Sequence, residues 1–505
     1  MTIGLWILTI YMIAMLAVAY YASKRDQKTI KDFAVGSGFG IFILTLTFST
    51  TYHSAFAFMG AAGFAHTHGI GWWANGLWTV LPGILFWVLG RRFWFMGKKY
   101  GYISTAEYIS DVYQSKLVGL IVGVTCIVFT VPFVAMQAIG SGYIFNIISE
   151  GRLTFATGIV IFFVVLIILV YMGGMRGIAL TDAGQGTFMW LGMLIGSFVI
   201  LHTNFGSVGA AYESAQQHMP ELFSLPGPRG VVTPGDWFSR WTVITLGMMM
   251  FPHISLRFFA GKSLRVLKWS AVFSSIYLTS IYVFTPAIGF VGHLLIPDLA
   301  AADRVFPEML LAFTPLLFAS LVIAGAYVAA QSTADSQLHA SSSMIGTDIY
   351  RAHINKKATD RQVYRVARIS VIVLGIFSIA IALINPGLLG DILLVANAGV
   401  AVLAPTVIGG AFWKKATKQG ALVSIICGQA VNLFLTFVVG GPIFTLAPGF
   451  CGLIVAFVLY VVVCNVTASR VEKRTIQVID SINEYFAPPA ENVLDQKEPT
   501  PETEA

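Results

Sequence analysis

This sequence predicts an all-α polytopic membrane protein with about 13 transmembrane helices. Two features of composition carry that reading. Of 505 residues, 56% are hydrophobic and only 11% are charged, against about 25% charged in an ordinary soluble domain. The apolar runs are continuous, not alternating, which excludes a transmembrane β-barrel. So few charges cannot clothe a water-exposed surface, so a soluble enzyme, a disordered regulator and a nucleic-acid binder are excluded. Because a helix needs roughly 20 apolar residues to cross the hydrocarbon core, about a dozen spans fit the length.

The first apolar segment, 3–23, is too long for a signal-peptide core and lacks a basic n-region, so it reads as a retained span. Further segments follow at 39–65, 70–96, 117–148, 153–174, 180–202, 238–258, 268–294, 308–345, 366–385, 390–413, 419–440 and 445–468. Those longer than 25 residues must tilt or project from the bilayer. The 203–237 connection is punctuated by Pro and Gly. The tail from about 470 is polar and is expected to be disordered, and it is too short for an output domain. The implied organisation is a first helix and loop (1–38), a core of two five-helix groups (39–413), two added helices (414–469) and the tail (470–505).

Charge placement supports this order. Counting Arg257 with the loop that holds Lys262, Arg265 and Lys268, 27 of the 31 basic residues fall on one set of alternate connections. Cytoplasmic loops collect Lys and Arg. The N-terminus is therefore expected outside and the C-terminus in the cytoplasm, with the chain in a cell membrane, as in a bacterial inner membrane. The net charge of +7 reflects topology and not an anionic partner. The four cysteines lie in apolar segments without a CxxC, which argues against zinc or disulfides.

Four spans break the membrane rules. The second, LTLTFSTTYHSAFAFMGAAG, holds Ser49-Thr50-Thr51-Tyr52-His53-Ser54 in a row. Its hydroxyls compete for backbone carbonyls and loosen a helix. The functional reading is a local unwinding that offers carbonyls to a cation, and the alternative is Ser/Thr helix–helix bonding. The seventh span holds Pro252-His253, where proline removes a helix bond. Each broken span opens a group of five, and interruptions at corresponding positions of two halves point to an inverted-repeat transporter with a midplane site. The ninth span places Ala329, Ser332, Thr333 and Ser336 on one helix face, with Asp335 beside them. A carboxylate inside a span is a functional-site candidate by default. In the sixth, Asp182 either caps a helix or reaches the end of a cation path. Gln137 is a lone amide in an apolar run, either packing glue or a solute contact. His66-Thr67-His68 has metal-like spacing but no carboxylate or Cys beside it, and is not read as a metal site.

Three motifs occur in order on these spans: TYHSAFAFMGAAG, GGMRGIALTDAGQGTFM and QSTADSQLHASSSMIGTDIY. They resemble the sodium:solute symporter family with its LeuT-type fold. Within it, TYHSAFAFMGAAG and FPHISLR are similar to pantothenate and monocarboxylate permeases. The resemblance implies a main sodium site at the carbonyls of Thr50, His53 and Ala329 with the hydroxyls of Ser332 and Thr333. It implies a second cation or proton site at Asp182, Asp335 and Ser336, where Asp335 departs from the family's usual small or hydroxyl residue. Gly38 stands where relatives usually carry an arginine.

A solute would sit between the two broken helices, touching Thr51, Tyr52, Ser54, Trp73, Gln137, Phe251 and His253. This reading places no Lys or Arg at the membrane midplane, so a small monocarboxylate or pantothenate is favoured over a dicarboxylate. The expected function is Na⁺-coupled import by alternating access, with no enzymatic activity, no cofactor besides Na⁺ as coupling ion, no nucleic acid and no obligatory protein partner. The alternatives are a proton-coupled transporter of the same fold and a transporter-like membrane sensor.

Overall fold

Ser and Thr side chains start many of the helices. Ser104, Ser115, Thr154, Ser207, Thr233, Ser263 and Thr417 each accept a hydrogen bond from a backbone N–H in the first turn that follows, filling one of the donors that every helix start leaves free. In the computed structural model, which describes residues 3–23, 38–72, 79–230, 232–384 and 387–487, these starts delimit a helical bundle. Among the described residues β-pairing is limited to two isolated bridges.

In chain order the helices are α1 (Ile3–Ser23), α2 (Ile41–Tyr52), α3 (Ala61–His68), α4 (Val80–Tyr100), α5 (Thr105–Val112), α6 (Lys116–Ile148), α7 (Phe155–Phe205), α8 (Val208–His218), α9 (Pro234–Met250) and α10 (Pro252–Ala260). They continue with α11 (Leu264–Leu295), α12 (Val305–Phe313), α13 (Leu316–Met344), α14 (Asp360–Ile384), α15 (Leu389–Ala401), α16 (Ala404–Phe412), α17 (Lys418–Phe434), α18 (Pro448–Val466) and α19 (Lys473–Tyr485). Among the described residues, nine helical stretches are long and apolar enough to cross a membrane, or twelve when each of three bent pairs counts as one span. The expected third span, α4, carries Arg91 and Arg92 in its second half and is not among them. Apolar side chains on the bundle exterior, such as Ile10, Ile376, Phe377 and Phe457, are exposed, as a lipid-facing surface requires.

Helix α13 packs against both α6 and α7, α2 lies against α7 and α11, and α10 against α4. The start of α2 is tied to the end of α10. Phe39 N–H donates to Ala260 O (2.8 Å), Lys262 N–H donates to Phe39 O (3.1 Å), and Trp94 Nε1 donates to Gly261 O (2.8 Å). The two broken helices are thus joined at one end by backbone.

Three differences from the sequence reading stand out. The fifth and sixth spans count as two, Phe155–Met172 and Gly177–Phe205, but α7 runs on between them, so Asp182 lies within a helix and does not cap one. The 308–345 segment divides at Pro315 into α12 and α13. Part of the tail expected to be disordered is instead α19. Thr475, Val478, Ile479 and Ile482 share one face, at i, i+3, i+4 and i+7, and all four are buried. Arg474 binds Asp111 (2.8 Å), Lys418 pairs with Glu472 (2.9 Å), and the ring of Phe95 of α4 lies 4.8 Å from that of Tyr485.

Candidate functional site

The first break follows from the hydroxyl run. Thr50 Oγ1 donates back to Leu46 O (2.7 Å), which weakens the helix ladder at that turn. Helix α2 stops at Tyr52, and His53 adopts an extended backbone (φ −86°, ψ 108°). The chain then restarts through Phe56–Gly60, bent by 61°. Two side chains stabilise the restart. Ser54 Oγ accepts from Phe56 N (3.2 Å), and Gln137 Oε1, from α6, accepts from Ala55 N (2.8 Å). Gln137 Nε2 donates to Phe133 O (3.2 Å), so this amide is placed as a cap on the broken helix.

A helix that stops leaves its last carbonyls without internal partners. Here they converge on α13. Thr333 Oγ1 lies 3.3 Å from Thr50 O, 3.3 Å from Thr51 O, 3.2 Å from His53 O and 3.1 Å from Ala329 O. Ser332 Oγ lies 3.5 Å from Thr50 O and 3.2 Å from Ala329 O. A hydroxyl has one proton to give, so two hydroxyls cannot satisfy these four carbonyls. The result is a buried nest of six oxygens with lone pairs in excess, all uncharged. Hard cations prefer such oxygen donors. The structure brings the five residues named from the sequence together, with Thr51 O beside them.

A second cluster is built on a residue that sequence reasoning placed elsewhere. Arg257 is 0% exposed and lies within the bent pair of α9 and α10. The expectation that no basic side chain lies in the span interior is therefore corrected. Pro252 restarts the helix inside the bundle, and Arg257 rides on that restarted turn, one turn from His253. One terminal guanidinium nitrogen, with two N–H groups to give, lies 2.6 Å from Thr51 Oγ1, 2.6 Å from Ser336 Oγ, 3.1 Å from Thr47 Oγ1 and 3.4 Å from Asp182 Oδ2. The other donates to His253 O (2.7 Å). Thr47 Oγ1 in turn donates to Asp182 Oδ2 (2.5 Å). Asp335 is attached through Ser336, whose Oγ lies 3.3 Å from Asp335 Oδ1. Thr51 belongs to both clusters, with its carbonyl toward Thr333 and its hydroxyl toward Arg257.

The second break, 53° between α9 and α10, is held by aromatic contacts. Phe251 has an extended backbone (φ −65°, ψ 141°), and its ring lies 5.1 Å from Phe133 and 5.3 Å from His253. Helix α6 thus touches both breaks, through Gln137 at the first and Phe133 at the second. Both ring nitrogens of His253, and His53 Nε2, are buried without a hydrogen-bond partner among the described residues. Buried polar atoms left unpaired carry a cost and mark a place where a ligand or water binds. His53 stacks on Tyr282 at 5.3 Å. Tyr52 and Ser54 line a small cavity with Thr79, Trp241, Tyr282 and Leu393. Trp73, the remaining solute candidate, lies outside the described residues. Tyr282, Phe133, Thr47 and Arg257 were not singled out from the sequence. Asp348 of the third motif has a structural part here, accepting from Ser104 Oγ (2.6 Å).

The family model for the sodium:solute symporter family matches residues 33–428. The chain is 25% identical over 469 residues to a sodium/pantothenate symporter of Haemophilus influenzae, covering 92% of this chain and 96% of that one. It is 25% identical over 437 residues to the sodium/pantothenate symporter of Escherichia coli, covering 85% and 89%. In structure it is similar to a Na⁺-coupled sialic acid symporter in a substrate-bound outward-open state, with a TM-score of 0.79, 22% identity, and coverage of 93% of this chain and 98% of that one. The fold is the LeuT type.

Proposed function

The chain belongs to the sodium:solute symporter family, and on that premise we propose that it imports a small monocarboxylate or pantothenate with Na⁺ by alternating access. It is a multi-pass secondary transporter and not an enzyme. The observation that carries the sodium reading is the Thr333 hydroxyl lying among the carbonyls of Thr50, Thr51, His53 and Ala329.

In the proposed cycle, Na⁺ binds at Thr50, His53, Ala329, Ser332 and Thr333, drawing the broken helix against α13. This fixes the backbone at His53 and Ser54 and shapes the solute groove. Tyr52, Ser54, Phe251, His253 and Gln137 form that groove, with Gln137 acting through the backbone at Ala55. A solute carboxylate is met by hydroxyls, by bound Na⁺ and by the N-terminal end of α10. The charge of Arg257 is already matched by Asp182, so a second solute carboxylate would lack a partner. That argument, with the pantothenate relatives, favours one carboxylate per solute. Ion and solute each bind better with the other present. The N-terminus lies outside and the C-terminus in the cytoplasm, in a bacterial inner membrane.

The test is uptake of labelled pantothenate and short monocarboxylates into proteoliposomes under separate Na⁺ and H⁺ gradients. Uptake driven by an inward Na⁺ gradient is expected. Uptake driven by H⁺ alone would replace this reading with proton coupling, and binding without transport would favour a sensor.

A further inference from the structure

We propose that Arg257 is the resident cation of the second cluster and so limits each chain to one bound Na⁺. The proposal rests on the sodium reading above and specifies its ion count.

The geometry gives the first argument. A second Na⁺ at Asp182 and Ser336 would need the lone pairs of Asp182 Oδ2, Ser336 Oγ and the neighbouring threonine hydroxyls. Those oxygens are already gathered around one guanidinium nitrogen at 2.6–3.4 Å. That nitrogen is tethered by the helix that carries it, and the Arg257 and Asp182 side chains are both 0% exposed. A sodium ion among the same oxygens would face a like charge a few ångströms away in a low-dielectric interior, where repulsion is large. The guanidinium is also weakly hydrated for a cation and offers several donors in a fixed fork. It therefore suits a permanent buried position better than an exchangeable ion does.

Charge gives the second. Asp182 is already paired with Arg257, so a further Na⁺ in this cluster would be a poorly matched charge in a buried region, which proteins avoid. Thr51 links the two clusters, so occupation of one is sensed by the other. Arg257 acts as a positioning residue. It holds Thr51 and Ser336 in the arrangement that the ion site needs.

The experiment is equilibrium binding of ²²Na⁺ to the purified full-length protein in nanodiscs, in choline buffer, with bound ions counted per chain at saturation. One ion per chain with a Hill coefficient of about 1 is expected. Two ions per chain would overturn this inference and leave the sodium reading intact. No saturable binding would overturn the sodium reading itself. Arg257→Ala is expected to admit a second ion, Arg257→Lys to keep the count at one, and Arg257→Ala with Asp182→Asn to return it to one. A folded Arg257→Ala protein that still binds one ion would overturn the proposal. Should that variant fail to fold, the wild-type count decides alone.

Discussion

Thr333 Oγ1 sits 3.2 Å from the carbonyl oxygen of His53, a residue 280 positions earlier in the chain. This contact closes the gap left where α2 stops and makes α13 the second wall of the oxygen cluster. The long reach explains why the site cannot form before both halves of the protein have packed.

Removing both hydroxyls, with Ser332→Ala and Thr333→Ala, leaves the carbonyls in place and deletes two ligands. The Na⁺ concentration for half-maximal uptake should rise about tenfold or more, which corresponds to ~1.4 kcal/mol per decade. The rise in melting temperature that Na⁺ confers should shrink in parallel. Membrane insertion should be unaffected. Unchanged Na⁺ dependence of uptake would remove this cluster from the mechanism.

The Asp182–Arg257 pair predicts a non-additive pattern of stability. Asp182→Leu alone strands a buried guanidinium and should cost about 3–5 kcal/mol. Combining it with Arg257→Met removes the stranded charge, so the double variant should melt higher than Asp182→Leu. Thermal unfolding in detergent, run on both variants, reads this directly. A double variant less stable than the single one would show that the pair is not the source of the loss.

Gln137 tests whether capping sustains the broken helix. Gln137→Leu leaves the Ala55 N–H buried and unpaired, at a cost of about 1–3 kcal/mol. Gln137→Glu keeps an acceptor at the same place and should retain more of the stability. Equal losses in the two variants, measured by melting temperature, would contradict the capping role.

Asp303 gives a pH dependence. It lies outside the spans, 2% exposed, with Oδ2 accepting from Leu389 N (3.1 Å) and Oδ1 unpaired. Burial pushes its carboxyl up to about 7, against the hydrogen bond from Leu389, which lowers it. An exposed aspartate loses its proton near pH ~3.9. Between about pH 4 and 7 the folded chain therefore holds a proton that the unfolded chain has lost, so this group's contribution to stability falls as pH rises through that window. Asp303→Asn should flatten that slope in melting temperature against pH. An unchanged slope would assign it to other groups.

The oxygen cluster proposed to hold Na⁺ was legible as a broken stretch because its signal is local. Six hydroxyl or amphipathic side chains in one apolar run, and a helix face of Ala329, Ser332 and Thr333, already mark where a span cannot stay regular. Arg257 was hidden because it lies only five residues before Lys262 in a run of basic residues. Counting charges by loop swept it into the basic end. The available signal was its phase: with the helix restarting at Pro252, position 257 falls one turn from His253, on an otherwise apolar helix. The ordered part of the tail was legible too, in the spacing of Thr475, Val478, Ile479 and Ile482, but overall polarity outweighed it. The partners of Thr51 and Gln137 lie on other helices, and no local pattern points to them.

Helix α19 also bears on the order in which the protein is made. Chains emerge from the ribosome N-terminus first, and α4 and α5 are synthesised more than 350 residues before the element that covers them. Phe95 and Val112 meet their partners Tyr485 and Thr475 only after α18 has been made. Until then this face of the nascent transporter is unfinished. A premature stop between residues 467 and 473 would release a chain with every described span present and that surface uncovered.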